Sequence, residues 1–280
     1  MNLRFRPMTA ADVPLGMHLK GQAGWNQTEA DWHRFLHLQG DGCLVVERCG
    51  EAVATVAVFH FDAVAWIAMV LVEQSARHQG IGTALVEHAV HAARRRGARS
   101  VRLDATALGR PIYEKLGFVA EYELIRYQID RLDMLPDDVG EAATATEFDA
   151  VADLDRRVTA TNRRRLLAAL HAERPELTRV VQGAGALRGY LMVRPGSRAR
   201  QVGPAVAVDE AAGAALFAAG FAPCSGHPVF VDVPTANRAA VRWVATRGLG
   251  EQRRFTRMVL GDPLPDRPEQ IWASSGPEKG

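Results

Sequence analysis

Cysteine is scarce in this 280-residue chain, with only Cys43, Cys49 and Cys224. An odd number at these spacings makes no disulfide framework and matches no zinc pattern. The expected setting is a reducing, cytoplasmic one. Long apolar runs are missing as well. Nothing reaches the ~18 residues of a membrane helix, and the opening stretch, Met1 to Pro14, has no apolar signal core. There is no block of like charge: the net charge is +2, and the cations, nearly all arginine, are scattered. That argues against nucleic acid or a membrane surface as partner. What is present is ordinary for packed cores, with 48% hydrophobic and 24% charged residues. At ~150 residues per domain, the length suggests two domains.

Periodicity supplies the elements. Leu3 to Met8 alternates as a strand, and Thr9 or Asp12 can cap a helix with Pro14 in its first turn. Thr28 followed by Asp31 is a capping signature ahead of Trp32, Phe35 and Leu36 on one helical face. CLVVER and EAVATVAVF, split by Cys49-Gly50, read as a hairpin. AWIAMVLV is a long apolar strand, expected at the centre of its sheet. A helix after Gly82 closes on Arg94–Arg96 and Gly97, the strand SVRLDAT follows, and then come the short helix GRPIYEKLGF and the strand VAEYELIRYQI.

The stretch from Val70 to Ala89 organises the rest. A strand, a polar turn, Gly80 and Gly82, and a helix start make an anion cradle, because free N–H groups and the positive end of the helix dipole point at one place. A triphosphate loop needs Lys-Ser/Thr after its last glycine, and here Thr83-Ala84 follows Gly82. A dinucleotide fingerprint needs a small residue where Leu85 stands and almost no spacing where seven residues separate Val72 from Gly80. Only Gly80, Gly82 and an acid ~20 residues on, Asp104, speak for a nicotinamide enzyme.

RHQGIGTAL resembles the Arg/Gln-x-x-Gly-x-Gly/Ala signature of the GCN5-related N-acetyltransferase (GNAT) superfamily, on Arg77, Gly80 and Gly82. Downstream, Tyr113 and Gly117-Phe118 are similar to that family's Tyr-x-x-x-Gly-Phe segment. The resemblance implies acetyl-coenzyme A as cosubstrate. Its pyrophosphate would lie on Arg77, His78, Gln79, Gly80, Ile81, Gly82 and Thr83, and its pantetheine along Val70, Leu71 and Val72. It also implies Tyr113 as proton donor to the departing thiolate. A phenol near pKa ~10 can serve a thiolate near ~8.5. Many relatives place an Asn ahead of this helix, whereas here stand Asp104 and Thr106.

A direct attack also needs something to take a proton from the amine. Asp62, Glu73, Asp104, His60 and His78 are the candidates, and Asp104, at the end of a strand, is preferred. The family's acceptor loop corresponds to Trp25, Asn26 and Gln27. His88 and His91, three apart, lack a third ligand, so no metal is expected. No cysteine lies near either motif, which disfavours an acetyl-enzyme.

Composition turns acidic and polar near Asp130 to Glu147, and the second half then echoes the first: Gly248 falls in register with Gly117 in a weak internal repeat. In that copy only Gly213 remains of the cradle, and Val244 stands where Tyr113 would be. The resemblance extends to a two-domain bacterial subgroup whose second half is a diverged copy. The expected fold is α/β: tandem units, each a mostly antiparallel, centrally splayed mixed sheet flanked by helices. The expected division is a catalytic domain over 1–132, a linker over 133–146, a diverged domain over 147–262 and a flexible tail over 263–280. The function implied is acetyl transfer to a primary amine of a small molecule or peptide, by a monomer or homodimer. The alternative is a non-catalytic acyl-coenzyme A sensor.

Overall fold

The computed structural model describes residues 3–133, 148–183 and 185–279. The chain forms two compact units. The first runs to Ala120 and also takes in Met258–Pro263 and Lys279; the second comprises Glu121–Arg257 and Leu264–Glu278.

The first unit carries β1 (Leu3–Pro7), α1 (Val13–Gln22), α2 (Glu29–Gln39), β2 (Cys43–Arg48), β3 (Glu51–Phe61), β4 (Val64–Val72), α3 (Ile81–Arg95), β5 (Ser100–Ala105) and α4 (Arg110–Lys115). Its strands lie in the order β1-β2-β3-β4-β5. β1 to β4 are antiparallel neighbours, and β5 is parallel to β4. The hairpin turn falls on Cys49 and Gly50, both at positive φ. The α2 cap forms as the sequence expects: Asp31 N–H donates to Thr28 Oγ1 at 3.4 Å and Thr28 N–H to Asp31 Oδ2 at 2.9 Å.

Alternation along the strands sends Val56, Val58, Ala65, Ile67, Val101 and Leu103 into one core with Leu85, Val86 and Ala89 of α3. The opposite face packs on α2, where the Phe35 and Phe59 rings meet at 5.3 Å.

The second unit holds α5 (Phe148–Thr159), α6 (Arg164–Glu173), β7 (Thr178–Gly183), β8 (Ala186–Arg194), β9 (Arg200–Ala207), α7 (Glu210–Phe221), β10 (Val229–Pro234) and α8 (Arg238–Thr246). Its core gathers Leu216, Phe217 and Phe221 of α7 with Trp243, Trp272 and alternate residues of the strands.

Two expectations of the division change. β6 (Val119–Ile129), expected to close the first unit, pairs antiparallel with β10, Leu124 opposite Pro234. The strand beside β5 is the end of β11 (Gly250–Gly261), whose Met258 lies in the first core. Each unit is thus closed by the strand that chain order assigns to the other. The division falls at Ala120, not near residue 133, and the expected linker, apart from Asp133, lies outside the described residues.

The tail is not loose either. β12 (Ile271–Ala273) pairs with β9, and Trp272 and Lys279 are fully buried. Proline-rich composition reads as extension, but Ile271 and Trp272 offer apolar surface that the second core takes up.

Candidate active site

The site begins with a splay. β4 and β5 are paired only at Val64–Ser100, Ala65–Val101 and Trp66–Arg102; beyond that the register ends. A bulge bends β4 away. Thr55 faces Leu71 and Ala57 faces Ala68, so β3 spends one residue where β4 spends two. Met69 takes positive φ, and its carbonyl accepts from buried Thr55 Oγ1 at 3.0 Å. The extra residue shifts the alternation, so Val70 and Val72, rather than Met69 and Leu71, turn toward the α3 core. Val70 and Val72 remain half-buried along the opening, while Leu71 is buried.

The loop after β4 is tied at both ends. Glu73 N–H donates to Val53 O at 2.8 Å, and Arg77 Nε reaches back to Val72 O at 3.0 Å. Arg77 therefore braces the loop with Nε, and its two terminal nitrogens have no hydrogen-bond partner among the described residues. Gln79 accepts from Arg48, and exposed His78 sits at positive φ.

Gly80 is the N-cap of α3 at φ +76°, a conformation that favours glycine. No side chain caps this helix, and its first internal bond is Ala84 N–H to Gly80 O at 3.0 Å. The N–H groups of Ile81, Gly82 and Thr83 therefore have no helical acceptor. Gly82 is not demanded by internal packing, since an added Cβ would meet Ile112 and Val72 at 3.9 and 4.0 Å, ordinary contact distances.

Tyr113 stands on α4, whose start is held by Gly109 N–H on Thr106 Oγ1 at 3.2 Å. The ring lies over Gly109, where a Cβ would come within 2.9 Å, and against Phe118 at 5.9 Å. Burial pushes the phenol up to about 12. Its hydroxyl has no hydrogen-bond partner among the described residues.

Tyr113 packs with the α3-side core, whereas Asp104 alternates with Leu103 and Ala105 and points to the α2 side. The two groups picked out by sequence thus flank the splay on opposite faces.

The other candidate bases separate by environment. His60 is pushed down to about 4 by burial and then by Arg96, so it is a weak acceptor for an ammonium proton. Asp62 occupies an exposed turn at positive φ. The Glu73 carboxyl is held below its usual range, first by a hydrogen bond from Gln22 and also by His18 and Gln74 N–H.

That cluster was not foreseen. Gln22 Nε2 donates to Glu73 Oε1 at 2.5 Å, His18 Nε2 lies 2.9 Å from Oε2, and Gln74 N–H donates to Gln22 Oε1 at 3.0 Å. It fastens α1 to the start of the cradle loop. The only sequence signal is the i,i+4 spacing of His18 and Gln22 on α1.

In the loop expected to border the acceptor, Trp25 is half-buried while Asn26 and Gln27 are buried at 2% and 3% exposure; Gln27 Oε1 has no hydrogen-bond partner among the described residues. Trp32 is a core residue, and a Cβ on Gly16 would lie 2.6 Å from its ring. His88 stacks on Phe5 at 4.3 Å. Among the described residues, no group of three His, Cys, Asp or Glu converges as a metal site, and no helix is long and apolar enough to cross a membrane.

The second unit's counterpart is built differently. Asp209 caps α7, its carboxylate accepting from Ala212 N–H at 2.9 Å, so an anion already occupies that helix start. Gly213 serves Trp272, since a Cβ there would fall 1.8 Å from the indole. Val244 is a fully buried core residue.

Family models match the chain in two places. The model of the acetyltransferase (GNAT) family matches residues 16–118, and that of an acetyltransferase (GNAT) domain matches residues 151–273. No curated protein sequence gives a significant match. Among solved structures, a Pyrococcus horikoshii protein described as a candidate acetyltransferase superposes with a TM-score of 0.85 at 21% identity, covering 99% of this chain and 96% of its own. A GCN5-related N-acetyltransferase from Sphaerobacter thermophilus gives 0.68 at 18% identity, with 95% and 98% covered. A tandem GNAT protein from the clavulanic acid biosynthesis pathway gives 0.66 at 18%, with 94% and 99% covered. At these identities the likeness concerns the fold.

Proposed function

The chain is a two-domain member of the GCN5-related N-acetyltransferase superfamily, and on that premise we propose that its first unit transfers acetyl from acetyl-coenzyme A directly to a primary amine. The observation that carries the reading is the contrast between the two helix starts. The start of α3 has left-handed Gly80, no side-chain cap and three N–H groups without helical acceptors; that of α7 is filled by its own Asp209. A pyrophosphate therefore suits the first unit, whereas in the second Asp209, itself paired with Arg188, already takes the helix start. One coenzyme per chain is expected, and a calorimetric stoichiometry of two would overturn it.

Catalysis follows from the two faces of the splay. The amine attacks the thioester carbonyl from the α2 side, where Asp104 or a water on it takes one proton. The carbon–sulfur bond breaks, and Tyr113 gives its proton to the sulfur from the α3 side. A phenol near 12 would be a poor donor to an ordinary thiolate of ~8.5, a mismatch of about 5 kcal/mol. But burial raises thiols in this protein to the same range, Cys43 to about 12 and Cys224 to about 11. Desolvation at the same place would disfavour the thiolate as it disfavours the phenolate, which narrows the gap between donor and acceptor.

The test is thiol release from acetyl-coenzyme A over a panel of amines. Release with at least one amine is expected. Tight coenzyme binding with no release for any amine would favour the acyl-coenzyme A sensor.

A further inference from the structure

The loop that carries Arg77 and Gly80 takes its shape from α1. Gln22 and His18 lie one turn apart on that helix, whose Leu19 is buried. Gln22 Nε2 donates to Glu73 Oε1 at 2.5 Å, and Gln22 Oε1 accepts from Gln74 N–H at 3.0 Å. His18 Nε2 lies 2.9 Å from Glu73 Oε2 and 3.1 Å from Gln22 Nε2. An amide can give to a carboxylate with one atom and take from an N–H with the other. A lysine or a glutamate at position 22 could do only one of these.

The bonds continue to the cradle. Glu73 caps the short turn Gln74–Ala76: its Oε1 accepts from Gln74 N–H at 2.9 Å, and its carbonyl accepts from Ala76 N–H at 2.9 Å. Gln74 O in turn accepts from Arg77 N–H at 3.4 Å. Gln74 is thus held on its N–H by Gln22 and Glu73, and holds Arg77 on its carbonyl. Ala76, between them, is buried in the α3 core. At the far end of the loop Gln79 gives Nε2 to Ser75 O at 3.3 Å and takes Arg48 on Oε1, one residue ahead of left-handed Gly80. With Oε1 taking two donors and Oε2 against His18, Glu73 is engaged in shape rather than in proton transfer. A polar cluster near the surface contributes little to stability. What this one secures is the conformation of the loop.

We propose that Gln22 is a positioning residue for the coenzyme: through Glu73 and Gln74 it sets the turn that aims Arg77 and Gly80 at the pyrophosphate. The inference rests on the coenzyme reading of the first unit. A loop already held in its binding shape loses less freedom when the anion arrives, so loosening it weakens binding.

Calorimetric titration of the full chain with coenzyme A tests it by exchanging the two side chains. Gln22→Glu sets two carboxylates against each other and should weaken binding by roughly tenfold or more. Adding Glu73→Gln exchanges carboxylate and amide, so the same bonds re-form with donor and acceptor reversed. Affinity should then return to within about threefold of the wild type. Gln22→Ala, which brings no second carboxylate, should weaken binding by about threefold or more, and it carries the comparison should Gln22→Glu fail to fold. No saturable binding by the wild-type chain would sink the coenzyme reading and this inference with it. Wild-type binding with undiminished affinity in Gln22→Glu or Gln22→Ala, or a double variant no better than Gln22→Glu, would overturn this inference alone.

Discussion

Gly80 and Gly82 do different jobs that their shared motif conceals. Gly80 supplies a left-handed backbone, so Gly80→Ala should cost about 1–2 kcal/mol of stability. Gly82 has room for a methyl group inside the protein, so its absence of a side chain is of use only to something arriving from outside. Gly82→Ala is accordingly expected to change unfolding stability by less than about 0.5 kcal/mol while weakening coenzyme A binding at least tenfold. Equal affinity would remove the cradle from the site. Tyr113→Phe keeps the packing against Phe118 and loses only the proton. Turnover should fall by roughly 10²-fold with the coenzyme dissociation constant unchanged. An undiminished rate would exclude Tyr113 from the chemistry.

At the level of elements, carboxylates fix where helices start. Asp12 accepts from Thr9 N–H at 2.8 Å and from both ends of the Arg6 fork, 2.8 and 2.7 Å. Arg6, then Thr9, hold the Asp12 carboxyl at about 2, against an ordinary 3.8. A lowered folded-state pKa contributes stability that is complete above the unfolded value and is lost as pH falls through the folded one. The window is therefore about pH 4 down to about 2. Asp12→Asn should destabilise by about 1 kcal/mol at neutral pH, a figure discounted for screening, and by nearly nothing at pH 2. Denaturant melts at the two pH values check it; a pH-independent difference would refute the linkage. Thr9–Asp12 and Thr28–Asp31 were both legible in the sequence because capping is local. The His18–Gln22–Glu73 clamp was not, since its partners lie 55 and 51 positions apart.

For the molecule as a whole, the decisive features are the exchange of closing strands and the buried tail. Trp272 fills the space that Gly213 leaves open and meets the Phe217 ring at 4.9 Å. Trp272→Ala should cost about 3–5 kcal/mol in equilibrium unfolding. A change under 1 kcal/mol would restore the picture of a loose extension. Lys279, at the far end of the tail, gives its ammonium to Asp31 at 3.1 Å, the same carboxylate that caps α2.

The sequence by itself determined the strand–loop–glycine–helix cradle, Tyr113 on its short helix, the helix caps and the loss of both motifs in the second copy. These depend on neighbours within a turn or a hairpin, where spacing dictates geometry. Tertiary structure alone decided that β6 and β11 trade places, that Gly213 receives Trp272, that Tyr113 and Asp104 take opposite faces of a bulged splay, and that Arg126 meets Asp232 across 106 positions. Strand partners and buried charges are selected by how much surface and how many hydrogen bonds each arrangement satisfies. That sum runs over residues far apart in the chain, which no local pattern records.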